Sequence, residues 1–164
     1  MSEDRSRTRE SYDELAATYT ERIFAELAGK PLDRHLLNRF AEDVLHVGDM
    51  RALDLPDGAL AGIVAFYSLI HIGEKEMVPT LRELRRVLAP GGLLLVAFHI
   101  GEETVHRDEL WGHAVSLDFR FLQPAPMAAS LAEAGFHVLE SVDRECYPDV
   151  EYPSRRSYVL PRRS

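Results

Sequence analysis

The chain has 164 residues, of which 46% are hydrophobic and 28% charged, with a formal net charge of -8. That length and composition suit one globular domain with a real core, and the acidic balance argues against a partner held through a nucleic-acid backbone. The longest apolar run, residues 91–100, is far too short for a bilayer span, the polar N-terminus does not read as a signal peptide, and the single cysteine, Cys146, points to a reducing, cytoplasmic setting.

In chain order, Ser11 and Glu14 have capping-box spacing, which predicts a helix starting at Tyr12. Leu15, Tyr19, Ile23 and Leu27 recur at helical spacing, and Gly29 is a stop signal. Pro31 fits the first turn of a second helix, with Leu32, Leu36 and Phe40 on one face. Residues 44–47 read as a short strand, and 53–59 as a turn-rich connection. Residues 61–69 are a continuous apolar run, suited to a sheet covered on both faces. Met77, Leu81, Leu84 and Leu88 then mark a helix that should stop at Pro90-Gly91-Gly92, before a buried strand over 93–99. Val115, Leu117, Phe119 and Phe121 alternate with mostly polar neighbours, as in a half-exposed strand or arm. A short helix over 127–134 ends at Gly135, and 138–142 with 158–160 form a closing strand pair. Arg155, Arg156, Arg162 and Arg163 read as a solvated tail.

Alternating buried strands and helices predict an α/β sandwich. Ligands in such sheets sit at the carboxyl ends of the strands. That rule singles out Asp49 and Met50, then Tyr67, Ser68 and His71, then His99. His71 suits a general base, since an imidazole titrates near neutrality, although a polar residue capping a strand is the commoner role. His99 with Glu102 and Glu103 is a second such candidate, for a base or a metal. The seven histidines lack ligand spacing, so no metal is expected. Trp111, Phe119 and Phe121 suit either a substrate lid or a core or subunit contact.

Six segments occur in a telling order: YDELAATY (12–19), GDMRALDLPDGAL (48–60), IVAFYSLIHI (63–72), LRELRRVLAPGGLLLVAFH (81–99), GFHVLESVDRE (135–145) and RRSYVLPRR (155–163). In that order and spacing the chain resembles the class I S-adenosylmethionine-dependent methyltransferases that act on small molecules. The resemblance implies a Rossmann-like sandwich with N-terminal cap helices over 1–42 and the sheet over 43–164. It implies that Asp49 accepts from the adenine amino group and that Met50 packs on the ring. It implies that Tyr12 and Tyr19 cover the methionine end, with Phe66, Tyr67 and Ser68 beside the sulfonium. His71, Tyr67 and Ser68 are then the catalytic candidates.

The family pattern also has a Gly-x-Gly turn after its first strand and an acid after its second, and this sequence contains no Gly-x-Gly. A truncated sheet is therefore expected, in the order 3-4-5-7-6 by the family's numbering. The loss of about six buried side chains at about 1.5–3 kcal/mol each asks for compensation, in a rearranged sheet or a homodimer over an uncovered edge or face. The resulting expectation is a methyltransferase by descent with weakened cofactor binding, partnered by a small-molecule acceptor and by neither nucleic acid nor membrane. The alternative is a non-catalytic methyltransferase-like protein acting through dimerisation or protein binding. A nucleotide-binding module for another ligand is a third reading, with no phosphate loop to support it.

Overall fold

In a computed structural model of the protein, residues 2–38 and 49–164 are described. The expected strand at 44–47 and the junction at 41–43 lie outside them. The chain opens with a long helix, α1 (Ser2–Ala28), and a short one, α2 (Pro31–Asn38). The helix start expected at Tyr12 is wrong, because α1 runs straight through it. The Ser11 hydroxyl accepts from the Ser116 amide at 3.0 Å instead of capping a helix, and Glu14 lies 3.9 Å from His113. Tertiary partners have taken both members of the local signal. Gly29 does end α1, and α2 does open on Pro31.

The main sheet is built from β1 (Leu60–Phe66), β2 (Leu88–His99), β5 (Phe136–Arg144) and β6 (Arg156–Arg163). Its order is β1-β2-β6-β5, with β1 parallel to β2 and β6 antiparallel to both its neighbours. This is the 4-5-7-6 part of the order that the resemblance implies. Between β1 and β2 lies α3 (Glu74–Val87); between the strands of the main sheet also come the hairpin β3 (Thr104–Leu110) and β4 (His113–Arg120), then α4 (Pro124–Glu133). The Pro90-Gly91-Gly92 stop is displaced: the strand begins at Leu88, and these residues form a bulge in it. Gly91 takes φ +78 there, a left-handed conformation that glycine adopts without steric penalty.

One face of the sheet carries α3 and α4. Leu81, Leu84, Leu131 and Met127 pack there against Leu94, Val96 and Phe98 in the larger core. The opposite face over β2 and β6 is covered by α2, whose Leu36 packs with Leu95, Ala97, Tyr158 and Leu160. An uncovered edge or face was expected of the sheet; over β2 and β6 the face is covered by α2. Each such side chain, fully buried, contributes about 1.5–3 kcal/mol. At β1 the exposure is greater: Ala61, Gly62 and Val64 are exposed, and among the described residues β1 has β2 as its one strand neighbour.

The loop before β1 is tied to α3. Arg86 donates to the Leu53 and Leu55 carbonyls and to Asp57, while Glu83 accepts from the Leu53 amide. Arg155 and Arg162 are exposed, but the other two arginines are no solvated tail. Arg156 is 1% exposed inside β6, and Arg163 reaches back to the carbonyls of Arg85, Arg86 and Leu88.

β4 is the strand or arm that alternation predicted around Val115, Leu117 and Phe119, and it forms a hairpin with β3. Its two-residue turn is Trp111 (φ +53) and Gly112 (φ +84), both left-handed, as the tightest hairpin turn requires. Leu117 is wholly buried, and β4 lies along α1. Among the described residues no helix is long and apolar enough to cross a membrane.

Candidate functional site

Two clusters meet at the carboxyl end of β1. The first joins the cap helix to the chain just after that strand. The Tyr12 hydroxyl lies 2.8 Å from Nε2 of His71, and Nδ1 of His71 lies 2.8 Å from the Asp118 carbonyl. A carbonyl only accepts, so Nδ1 carries the proton and Nε2 accepts from Tyr12. His71 is thus presented as a neutral imidazole with its basic nitrogen toward the cap helix. Burial lowers its pKa, and the Arg120 charge adds to that, against the Asp118 carbonyl bond that raises it. Burial also raises the Tyr12 hydroxyl, with Tyr19 adding to it. Rings continue the cluster in both directions: Tyr12 on Tyr19 at 5.6 Å, Tyr19 on Trp111 at 5.8 Å, His71 on Phe119 at 5.2 Å.

Ser68 precedes the short turn Leu69–His71, whose return comes from the His71 amide to the Ser68 carbonyl. Tyr12, Tyr19 and His71 are therefore brought together, with Ser68 at the base of the same turn. Asp49 and Met50 stand elsewhere. The Asp49 carboxylate takes a two-pronged grip from Arg51, at 2.9 and 2.9 Å, and Met50 packs against the larger core.

The second cluster is ionic and buried. Phe66 and Tyr67 enter it from the end of β1. Tyr67 has φ +47, an uncommon backbone state for a tyrosine, of the kind that persists where surroundings enforce it. The Tyr158 hydroxyl donates to Asp33 at 2.6 Å, so Tyr67, at 3.1 Å, donates to Tyr158. Arg144 bonds Asp33, Tyr158 and both oxygens of Glu151. Lys30 reaches Glu26 and Glu151, and sits 5.6 Å over the Tyr67 ring. Burial pushes the Tyr67 hydroxyl up to about 12. Sequence reasoning missed this cluster. Its partners Asp33 and Tyr158 are 125 positions apart, and no local spacing marks a pair of that kind.

His99 packs between Tyr67 and Phe121, with Nδ1 2.7 Å from the Ser154 hydroxyl. Burial, then the Arg156 and Lys30 charges, lower its pKa to about 4. Glu103 bonds the Glu102 amide, and among the described residues no three potential ligands gather as a metal site. Both histidines are held neutral, so the unfolded chain binds protons that the folded one refuses. Stability is then fully present above about 6.5 and declines as pH falls from there toward about 4. Thermal melts should show this decline, and His99→Gln should flatten it. An unchanged midpoint between pH 7 and 4.5 would contradict it.

A groove runs between α1 and β4. Its narrow end holds about 80 Å³ and is lined by Arg7, His71, His106, Asp118 and Arg120. Its open end holds about 410 Å³, beside Glu10, Glu14, Ala114 and Val115. Arg7 and Ser116 line both ends. The side chains placed by resemblance at the sulfonium, Phe66 and Tyr67, pack on each other, and both meet Tyr158. The Asp49 carboxylate, placed by resemblance at the adenine, is paired with Arg51, and the sequence contains no Gly-x-Gly.

Several solved structures are similar in fold. An S-adenosylmethionine-dependent methyltransferase from Methanosarcina mazei superposes with a TM-score of 0.61 at 13% identity, over 72% of this chain and 66% of that one. A 1,6-didemethyltoxoflavin-N1-methyltransferase from Burkholderia thailandensis, solved with 1,6-didemethyltoxoflavin and S-adenosylhomocysteine, gives 0.59 at 18% identity, over 82% and 57%. SpnF, a 4+2 cyclase, gives 0.53 at 20% identity, over 72% and 56%. The chain thus spans less than two thirds of the length of each. No curated protein matches it. The sheet is that of a Rossmann-like methyltransferase. The sequence profile of the methyltransferase domain matches residues 13–96, just over half of the 164, and the chain belongs to that family.

Proposed function

We propose that the protein descends from S-adenosylmethionine-dependent methyltransferases of small-molecule acceptors, and that it keeps the acceptor side of the site while holding the methyl donor weakly. The observation that carries this reading is the Tyr12–His71 pair under the cap helix. It presents a neutral imidazole nitrogen at the carboxyl end of β1, where ligands of such sheets bind. His71 is suited to take a proton from a hydroxyl or amine in the adjoining groove that replaces the Tyr12 hydroxyl on Nε2. Tyr12 and Tyr19 shield that nitrogen from water. On the donor side, Phe66 and Tyr67 are committed to Tyr158 and α2, which leaves Asp49 and Met50 as the adenine contacts.

Calorimetric titration with S-adenosylmethionine is the direct test. No saturable binding is expected at low micromolar concentration. A clear micromolar isotherm would overturn the weak-donor part and show that another segment replaces the missing loop. Should binding occur at higher concentration, Asp49→Ala is expected to weaken it by about 1–3 kcal/mol, the worth of a hydrogen bond to a charged group.

A second reading rests on β1. Val64 is 38% exposed on a strand with one strand neighbour among the described residues. Such an edge pairs readily with another chain, and a homodimer formed there, through residues 44–47, or through the β3–β4 arm would serve a non-catalytic role. Light scattering should then give twice the monomer mass. A monomer at high concentration would remove this reading.

A further inference from the structure

The groove between α1 and β4 is charged, and its charge is uneven. The narrow end beside His71 has two guanidinium groups, Arg7 and Arg120, and the imidazole of His106. Asp118 is the one carboxylate lining it among the described residues, and its oxygens are already engaged. One is 2.7 Å from Nδ1 of His106, and the other accepts from Arg120 at 3.3 Å. Asp108 bonds the far nitrogen of His106, but its side chain is 93% exposed, so water and salt screen it. Arg120 uses one of five N–H donors on Asp118, and a guanidinium fork matches the two oxygens of a carboxylate or the face of a phosphate. The open end has Glu10 and Glu14 on the α1 side and offers apolar surface at Ala114 and Val115 on the β4 side, in a volume of the size that small organic ligands occupy.

We infer that this groove binds a small organic anion, its carboxylate or phosphate between Arg7 and Arg120 and its apolar body along Ala114 and Val115. The excess of cations is confined to the narrow end, since Glu10 and Glu14 line the open one, and on a chain of net charge -8 that confinement favours a specific anion pocket over general anion attraction. The inference rests on the methyltransferase reading only for the ligand's role: if that reading holds, the acceptor class is anionic. Binding itself needs no methyl donor.

The test uses the full chain without S-adenosylmethionine. Benzoate is titrated in while the imidazole resonances of His71 and His106 are followed by NMR. Saturable shifts at both are expected, with methyl benzoate, the same ring without the charge, at least about tenfold weaker. Arg7→Gln and Arg120→Gln should each weaken benzoate by about tenfold. Arg82→Gln, which removes an exposed guanidinium paired with Glu133 on α4, should leave binding unchanged. Arg7 is exposed, so its replacement tests the idea even if Arg120→Gln unfolds the hairpin. Competition by inorganic phosphate would extend the site to oxyanions in general; failure to compete while benzoate binds would confine it to carboxylates, and both uphold the inference. Equal binding of acid and ester, indifference to both arginine variants, or no shift at roughly 10 mM benzoate would overturn it. A clear micromolar S-adenosylmethionine isotherm beside a positive benzoate titration would overturn the weak-donor part of the proposed function alone.

Discussion

Replacing Glu151 by glutamine should destabilise the protein by about 3–5 kcal/mol, the usual effect of breaking a buried ion pair from one side. The Glu151 side chain is fully buried. Its oxygens meet Arg144 at 2.7 and 2.8 Å, the Tyr147 amide at 2.8 Å, Arg156 at 3.2 Å and Lys30 at 3.4 Å. Glutamine keeps the shape and removes the charge, which leaves three cations facing Asp33 and Glu26. For a chain of this length the melting midpoint should fall by roughly 6–20 °C. The acid side of the stability profile changes with it. Burial alone would raise the Glu151 carboxyl, but the Arg144 fork, the Tyr147 amide and the Arg156 and Lys30 charges outweigh it and hold the pKa at about 2. A depressed carboxyl contributes stability above its ordinary value of 4.5 and loses it as pH falls through about 2. The wild-type melt should therefore drop across that window, and the Glu151→Gln melt should not. A midpoint within about 2 °C of wild type would show the cluster to be screened by water. The consequence reaches the site, because Lys30 and Asp33 are the groups that hold α2 over Phe66 and Tyr67.

What could be read in advance divides along the range of the interactions. The helix under Met77, Leu81 and Leu84, the strand at 93–99 and the closing pair were visible because their apolar spacing repeats every few residues. The hairpin partner β3 was not, since Thr104–Leu110 is exposed at most positions and has no apolar face to count. The capping-box reading at Ser11 failed for a related reason: the hydroxyl found a partner 105 positions away. Among site residues, Tyr12, Tyr19 and His71 were picked out by position and resemblance, and they do converge. Asp33, Arg144 and Glu151 were not, because a buried charge looks like a surface charge until its counter-ion is placed. The expectation of an uncovered edge or face came from the pattern alone. The cover that α2 gives the face over β2 and β6 was not legible, as it required knowing where Leu36 would land.

Amide exchange should separate the sheet from the roof of the site by roughly a thousandfold or more, a gap of about 4 kcal/mol in opening free energy. In β2, Leu94, Leu95, Val96 and Ala97 are 0–1% exposed, with β1 bonded on one side and β6 on the other. Their amides can exchange only when the central sheet opens, which is close to global unfolding. The roof has far less behind it. β3 and β4 form an isolated two-stranded ribbon, a structure that is marginal alone in water. It is fastened to α1 by the Ser11–Ser116 and Thr18–His113 bonds and by Trp111 on Tyr19. These three contacts at about 0.5–1.5 kcal/mol each, with the buried Leu117 and the contacts of Asp118 and Phe119 to His71, hold the ribbon less firmly than the packed sheet holds itself. The β3–β4 amides should therefore exchange through a local opening that leaves β2 protected. That opening lifts Phe119 and the Asp118 carbonyl from His71, frees Nδ1, and widens the groove beside Arg120. Addition of a groove ligand should slow the hairpin amides and leave the β2 amides as they were, since the ligand binds the closed roof alone. Equal rates in β2 and the hairpin would contradict this, by making the roof part of the global unit and the groove unable to admit a ligand without unfolding the sheet.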